Sequence, residues 1–213
     1  MRSFSRIDAI LTALFCLVAS PSFAASKPKA SPPTDKSPIA APPTQRVVGP
    51  LSPAEAEALA TMNDKIKAYI DLHVKIEKTL PVLPKDSSPQ QIDKNQRDFE
   101  VLMRQARAGA KQGDIFTPQA TPVIRSLLAT IFDGPEGKLL KASIFDENPG
   151  RIKLAVNERY PDNVPLSNVP AQVLQTLPKL SEDVEYRFIG DNLILFDSHA
   201  HIVADFIPDV MPK

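Results

Sequence analysis

One cysteine and three histidines are all the thiol and imidazole chemistry that this 213-residue chain carries. The cysteine, Cys16, falls inside an N-terminal leader, so the chain beyond the leader can form no disulfide, thiolate nucleophile or cysteine-based metal site. The apolar run near the N-terminus, Ala9 to Ala19, has eleven residues, against about 20 for a membrane-spanning helix. A Gly-rich phosphate loop, a Gly-x-Ser-x-Gly elbow and a His-Glu-x-x-His helix are all missing. Charge is unevenly placed, with four basic residues against Asp35 from Ala25 to Pro50, a sparse excess of the kind that usually serves solvation. Residues Asp133 to Lys213 carry eight basic side chains against thirteen acidic ones, which gives no footprint for nucleic acid.

The first two dozen residues have the order of a secretory leader. Arg2 and Arg6 precede the short apolar core, and Ser22-Phe23-Ala24 supplies small residues three and one before a cut after Ala24. Phe15 stands where a lipoprotein signal needs a small residue before its cysteine, so no lipid anchor is expected. Residues 1–24 thus read as a cleavable signal peptide. From Ala25 to Pro50 there are seven prolines and no aromatic residue, too little apolar surface to offset the entropy of ordering. This linker, extended at about 3.1 Å per residue, would span ~80 Å.

A helical region is expected over 51–134. Ser52-Pro53-Ala54-Glu55 is a capping box with proline at the first helical position. Leu59, Met62, Ile66, Tyr69, His73, Ile76 and Leu80 then recur at spacings of three and four up to Pro81, with Asp71 and Lys75 expected to pair on the solvent side. Ser88-Pro89-Gln90-Gln91 repeats the start signal ahead of a second seam, Ile92, Gln96, Phe99, Met103, Ala106 and Ala110, closed by Gly113. A short connection makes the two helices antiparallel neighbours. A third, mostly apolar helix is expected from Thr121-Pro122 to Asp133-Gly134, and Lys138 to Phe145 forms a further short helix or strand.

A small α+β region is expected over 135–213, where the period changes from helical to alternating. Ile152, Leu154 and Val156 alternate as a strand would, and a short helix follows over Pro170–Leu177. Val184, Tyr186 and Phe188, the run Leu193–Phe196, and Ala200–Ile207 read as three strands of a meander, with turns at Gly190-Asp191-Asn192 and Asp197-Ser198-His199. The fold class is therefore α+β, an N-terminal antiparallel helical hairpin followed by a C-terminal antiparallel meander.

The segment Val169 to Leu174, with Glu185-Tyr186-Arg187-Phe188-Ile189-Gly190, Leu193-Ile194-Leu195, Asp197 and Ile202-Val203-Ala204-Asp205-Phe206-Ile207, resembles the C-terminal meander of periplasmic nickel and cobalt homeostasis proteins and of a related domain of unknown function. The resemblance covers about 45 residues and implies a fold and an envelope location. None of that family's metal ligands is matched to a position here.

Candidate chemistry is confined to few residues. Asp197-Ser198-His199-Ala200-His201 looks like the opening His-x-His of metal-dependent amidohydrolases, but that chemistry needs a barrel built after the motif, and only twelve residues follow His201. The smaller reading is a metal pair, His199 and His201, with Asp197 and Asp205 as neighbouring carboxylates. A tight turn at Asp197 would turn His199 away from His201 and place His201 in the strand that follows. His73 lies on the apolar seam, where a packed core histidine is the bland reading and a partner near Gln96 or Arg97 the functional one. Asp146-Glu147-Asn148-Pro149-Gly150 reads as a turn.

The leading expectation is a non-catalytic exported periplasmic protein that acts by binding a further envelope protein, with no cofactor and no nucleic-acid partner. A metal-binding homeostasis factor using His199 and His201 is the alternative, and an undetected hydrolase the third reading. Export is directly testable: protein recovered from the periplasm should begin at Ala25 on N-terminal sequencing, and an intact Met1 on membrane-bound protein would overturn the leader assignment.

Overall fold

The computed structural model describes residues 49–148 and 152–212. The signal peptide, all but the last two residues of the linker, and Pro149 and Gly150 of the expected turn lie outside these, whereas Asp146 and Glu147 are the last two residues of a helix.

Helix α1 spans Pro53–Glu77 and α2 Pro89–Ala106. Both begin with the expected capping box: Glu55 N–H donates to Ser52 Oγ at 3.3 Å while Ser52 N–H donates to the Glu55 carboxylate at 2.8 Å, and Ser88 with Gln91 repeats the exchange. The hairpin is antiparallel, as its contacts show. Asn95 donates to the Pro81 carbonyl, the rings of Phe99 and His73 meet at 4.8 Å, and Arg107 lies over the Tyr69 ring at 4.9 Å. One number rises as its partner falls.

The α1 seam is buried at Met62, Ile66, Tyr69 and His73. The helix ends three residues before the expected Leu80, in a turn closed by Thr79 N–H to Ile76 O and Leu80 N–H to Glu77 O. In α2 the buried set is narrower, Phe99, Glu100 and Met103, and Ile92 of the expected seam is 52 % exposed. Asp71 pairs with Lys67 at 2.7 Å, in place of the expected Lys75. Both lysines are one turn away, and the rotamer chosen decides between them.

Helix α3, Ala120–Phe132, starts just ahead of the expected Thr121, with Thr117 Oγ1 accepting from Ala120 N–H. Helix α4, Gly137–Glu147, resolves the helix-or-strand ambiguity at Lys138–Phe145. Glycine is required at its start, since a Cβ on Gly137 would stand 1.9 Å from the Phe132 carbonyl oxygen. After α5, Ala171–Thr176, come β1 Val184–Ile189, β2 Asn192–Asp197 and β3 Ile202–Ile207, antiparallel in the order β1-β2-β3. Gly190, at φ +57°, makes the first hairpin turn. A bulge beside Leu195 and Phe196 leaves Ala204 unmatched in the second pairing.

The alternation at Ile152, Leu154 and Val156 does not make a strand. Asn157 turns through φ +63°, and only residues 157–160 run along β3, through Asn157 N–H to Val203 O, Val203 N–H to Glu158 O and Tyr160 N–H to His201 O. Ile152 and Leu154 instead pack on the far face of the sheet with Tyr160, Ile194, Phe196 and Val203. The near face, including Tyr186, Phe188, Leu193, Leu195 and Ile202, shares one core with Met62, Ile66, Phe99, Ile124 and Leu128 of the helices. With both faces covered, β2 reads as an unbroken apolar run. The regions 51–134 and 135–213 thus contribute to a common core.

Burial ranks substitutions. Ile66→Asp or Phe99→Asp should lower unfolding stability by roughly 3–5 kcal/mol, because each puts an unpaired charge into the shared core. Lys67→Ala, which removes only an exposed pair, should leave it essentially unchanged. Urea unfolding curves for the three variants decide, and equal midpoint shifts would contradict the packing described.

Candidate metal centre

Asp197, at the end of β2, has no exposed surface. Its Oδ2 accepts the Tyr69 hydroxyl and His73 Nδ1–H, both at 2.7 Å, and its Oδ1 accepts Ala200 N–H at 2.7 Å. Two groups come from α1, one turn apart, and the third closes the β2–β3 turn. A carboxylate needs donors, so His73 carries its proton on Nδ1 and presents Nε2 outward from the network. His73 is 1 % exposed, and Nε2 has no hydrogen-bond partner.

Other ligand-type groups lie near His73. Glu77, four residues on, shares its helix face, and His199 descends from the β2–β3 turn with Nδ1 3.2 Å from Glu77 Oε1. One donor atom from each of His73, Glu77 and His199 lies within 4.8 Å of the others. Asp183, just before β1, brings Oδ2 to 3.8 Å from His73 Nε2. Phe99 closes the apolar side, with ring centroids 4.8 Å from His73 and 4.5 Å from His199.

The electrostatics favour positive charge here. Burial alone would push the His73 pKa down, but its hydrogen bond to Asp197 and the charges of Asp197, Asp183 and Glu77 more than reverse this and raise it. Tyr69 is held neutral, its pKa well above 10 through burial and the adjacent Asp197. Two imidazoles and carboxylates form a donor set suited to zinc, nickel, copper(II) or cobalt. Ligands ~2.1 Å from one ion stand ~3.4 Å apart in a tetrahedron, so side-chain adjustments of about 1 Å would close the group.

The metal pair expected at His199 and His201 is not assembled. The turn after Asp197 puts His201 at φ +56°, still in the turn and ahead of the strand expected to contain it. Its ring packs on Phe196 and Tyr160, and its Nε2 lies 3.2 Å from Asp162. Burial and the Arg159 charge lower its pKa, the reverse of His73. Asp205 is no ligand either, since its carboxylate accepts N–H bonds from Gly113, Ile115 and Phe116. His199 and His73 are legible as candidates in the sequence, whereas Glu77, Asp183 and the role of Asp197 emerge only in the structure. The His-x-x-x-Glu spacing from His73 to Glu77 was the one local signal available. The chain matches no protein-family model, no curated protein and no solved structure.

The Asp197 network has a definite hierarchy. Asp197→Ala strands three donors and should cost roughly 3–5 kcal/mol, whereas Tyr69→Phe removes a single hydrogen bond and should cost about 1 kcal/mol. Chelator-treated protein unfolded in urea checks this, and equal losses in the two variants would refute the hierarchy.

Proposed function

We propose that this chain is an exported envelope protein that binds a divalent transition-metal ion where its helical hairpin meets its meander. The observation that carries the reading is His73 Nε2, buried, unpartnered and 3.8 Å from Asp183 Oδ2, in a residue that groups with Glu77 and His199. A buried imidazole nitrogen without a partner loses the hydrogen bonds that water would give it, and an ion at that point would recover them. The carboxylates that raise the His73 pKa would attract a divalent cation by the same field. The leader-like N-terminus and the meander's resemblance to that of periplasmic nickel and cobalt homeostasis proteins support the envelope location. The role is binding, not turnover.

Docking of an envelope protein is the second reading. It has its own observation, an open groove of about 710 Å³ beside the β1 edge, walled by Val169, Leu174, Pro178, Leu180 and Tyr186. The groove names no occupant, and the metal reading therefore stands first.

Calorimetric titration of zinc, nickel and copper(II) into untagged protein tests the proposal. One ion per chain should bind at micromolar or tighter affinity, and binding should be lost in His73→Ala and His199→Ala but kept in His201→Asn, which also tolerates the positive φ. Stoichiometric binding that depends on His201 and not on His73, or no binding by the folded protein, would overturn it.

A further inference from the structure

The metal-binding reading leaves two carboxylates at the site without assigned parts, Asp183 and Asp197, and their surroundings separate them. Asp197 is completely buried and both its oxygens are occupied, so reaching an ion would break the bonds to Tyr69, His73 and Ala200 together. Asp183 is the opposite. Its side chain is 49 % exposed and its Oδ2 lies 3.8 Å from His73 Nε2, beyond hydrogen-bond reach. Its backbone is nevertheless fixed, because the Asp183 carbonyl accepts both Ser198 N–H at 2.8 Å and Ser198 Oγ–H at 3.1 Å. Ser198 directly precedes His199, so the segments bearing Asp183 and His199 are tied together. Asp183 lies outside the group of three whose donor atoms fall within 4.8 Å of one another, so closing its carboxylate on an ion takes a larger side-chain movement than the other three need.

Resting on that metal-binding reading, we infer that Asp183 is the fourth protein ligand, beside His73 Nε2, His199 and Glu77, and that Asp197 is a positioning residue that aims His73 through Nδ1. The donors are then two nitrogens and two oxygens, and the two carboxylates balance the charge of a divalent ion. Four protein ligands leave no open position, the pattern of a holding site. Nitrogen donors in half the shell favour zinc, nickel, copper(II) or cobalt over calcium and magnesium, which take oxygen. Asp197 has the part of the carboxylate that orients a metal-bound histidine from behind.

Cobalt(II) is the probe, because its visible bands report coordination number independently of affinity. Untagged protein loaded with cobalt should show the intense bands of a four-coordinate ion. Asp183→Asn should weaken and shift them as water enters, with affinity falling about tenfold or more, while Asp197→Asn should keep the band shape and lose about 10–100-fold in affinity. Tyr69→Phe, which disturbs Asp197 without touching His73, should give a smaller loss and serves if Asp197→Asn does not fold. No cobalt binding by the folded parent protein would overturn the metal reading and this inference together. Bound cobalt with an unchanged spectrum in Asp183→Asn would overturn the fourth ligand alone. Unchanged affinity in Asp197→Asn, or in Tyr69→Phe where Asp197→Asn is unfolded, would overturn the positioning role alone.

Discussion

Two buried carboxylates tie the sheet of this protein to its helices. Asp197 on β2 and Asp205 on β3 are both fully inaccessible. An unpaired carboxylate in such a place would cost several kcal/mol, and the strands that carry them cannot satisfy them alone. Asp205 takes N–H groups from Gly113, Ile115 and Phe116, in the loop between α2 and α3, where Gly113 turns at φ +89°. Asp197 takes Tyr69 and His73 from α1. The meander is therefore stable only against a helical layer that offers these donors. Apolar burial would tolerate small slips between the two layers, but hydrogen bonds at 2.7–2.8 Å would not.

The candidate metal centre is a by-product of this docking. Because Asp197 must be satisfied, His73 is pulled to it through Nδ1, and its other nitrogen is left facing the gap between the end of α1 and the β2–β3 turn. The same turn, closed by Ala200 N–H on Asp197, lowers His199 into that gap. Arg107 holds the other side of the network: it lies over the Tyr69 ring and donates to the Ala204 carbonyl at 2.9 Å, so one cation braces α1 and β3 together.

Much of the fold is legible in the sequence because it is written in short-range signals. The capping boxes at Ser52 and Ser88, the glycine turn at Gly190 and the α+β order are borne out by the structure, whereas α1 ends at Glu77, ahead of the expected stop at Pro81. Other features depend on distant partners. Tyr69 and His73 meet Asp197 across more than a hundred residues, and no local period encodes which acid a seam histidine will find. Ile152 and Leu154 alternate as a strand would, yet their apolar side chains were needed to cover the second face of the sheet, and Asn157 ends the extended run. Asp197, His199 and His201 lie close in sequence, but a turn distributes them: the acid goes inward, His199 to α1 and His201 to the Tyr160 side. Spacing of two places side chains together only while the chain stays extended or reverses evenly.

Phe99 shows why the position of the site matters as much as its ligands. Its ring touches both imidazoles, edge-on to His73 and tilted against His199, and it is fully buried. The apolar wall excludes water from one side of the donors, so charge placed there interacts with Asp197, Asp183 and Glu77 through a medium less polar than water. The two imidazole centroids stand 5.9 Å apart beside it. Phe99 sits in the α2 seam for the ordinary reason that an aromatic ring buries a large apolar surface. The hairpin core and the candidate centre thus share this residue, and repacking α2 at Phe99 would alter both.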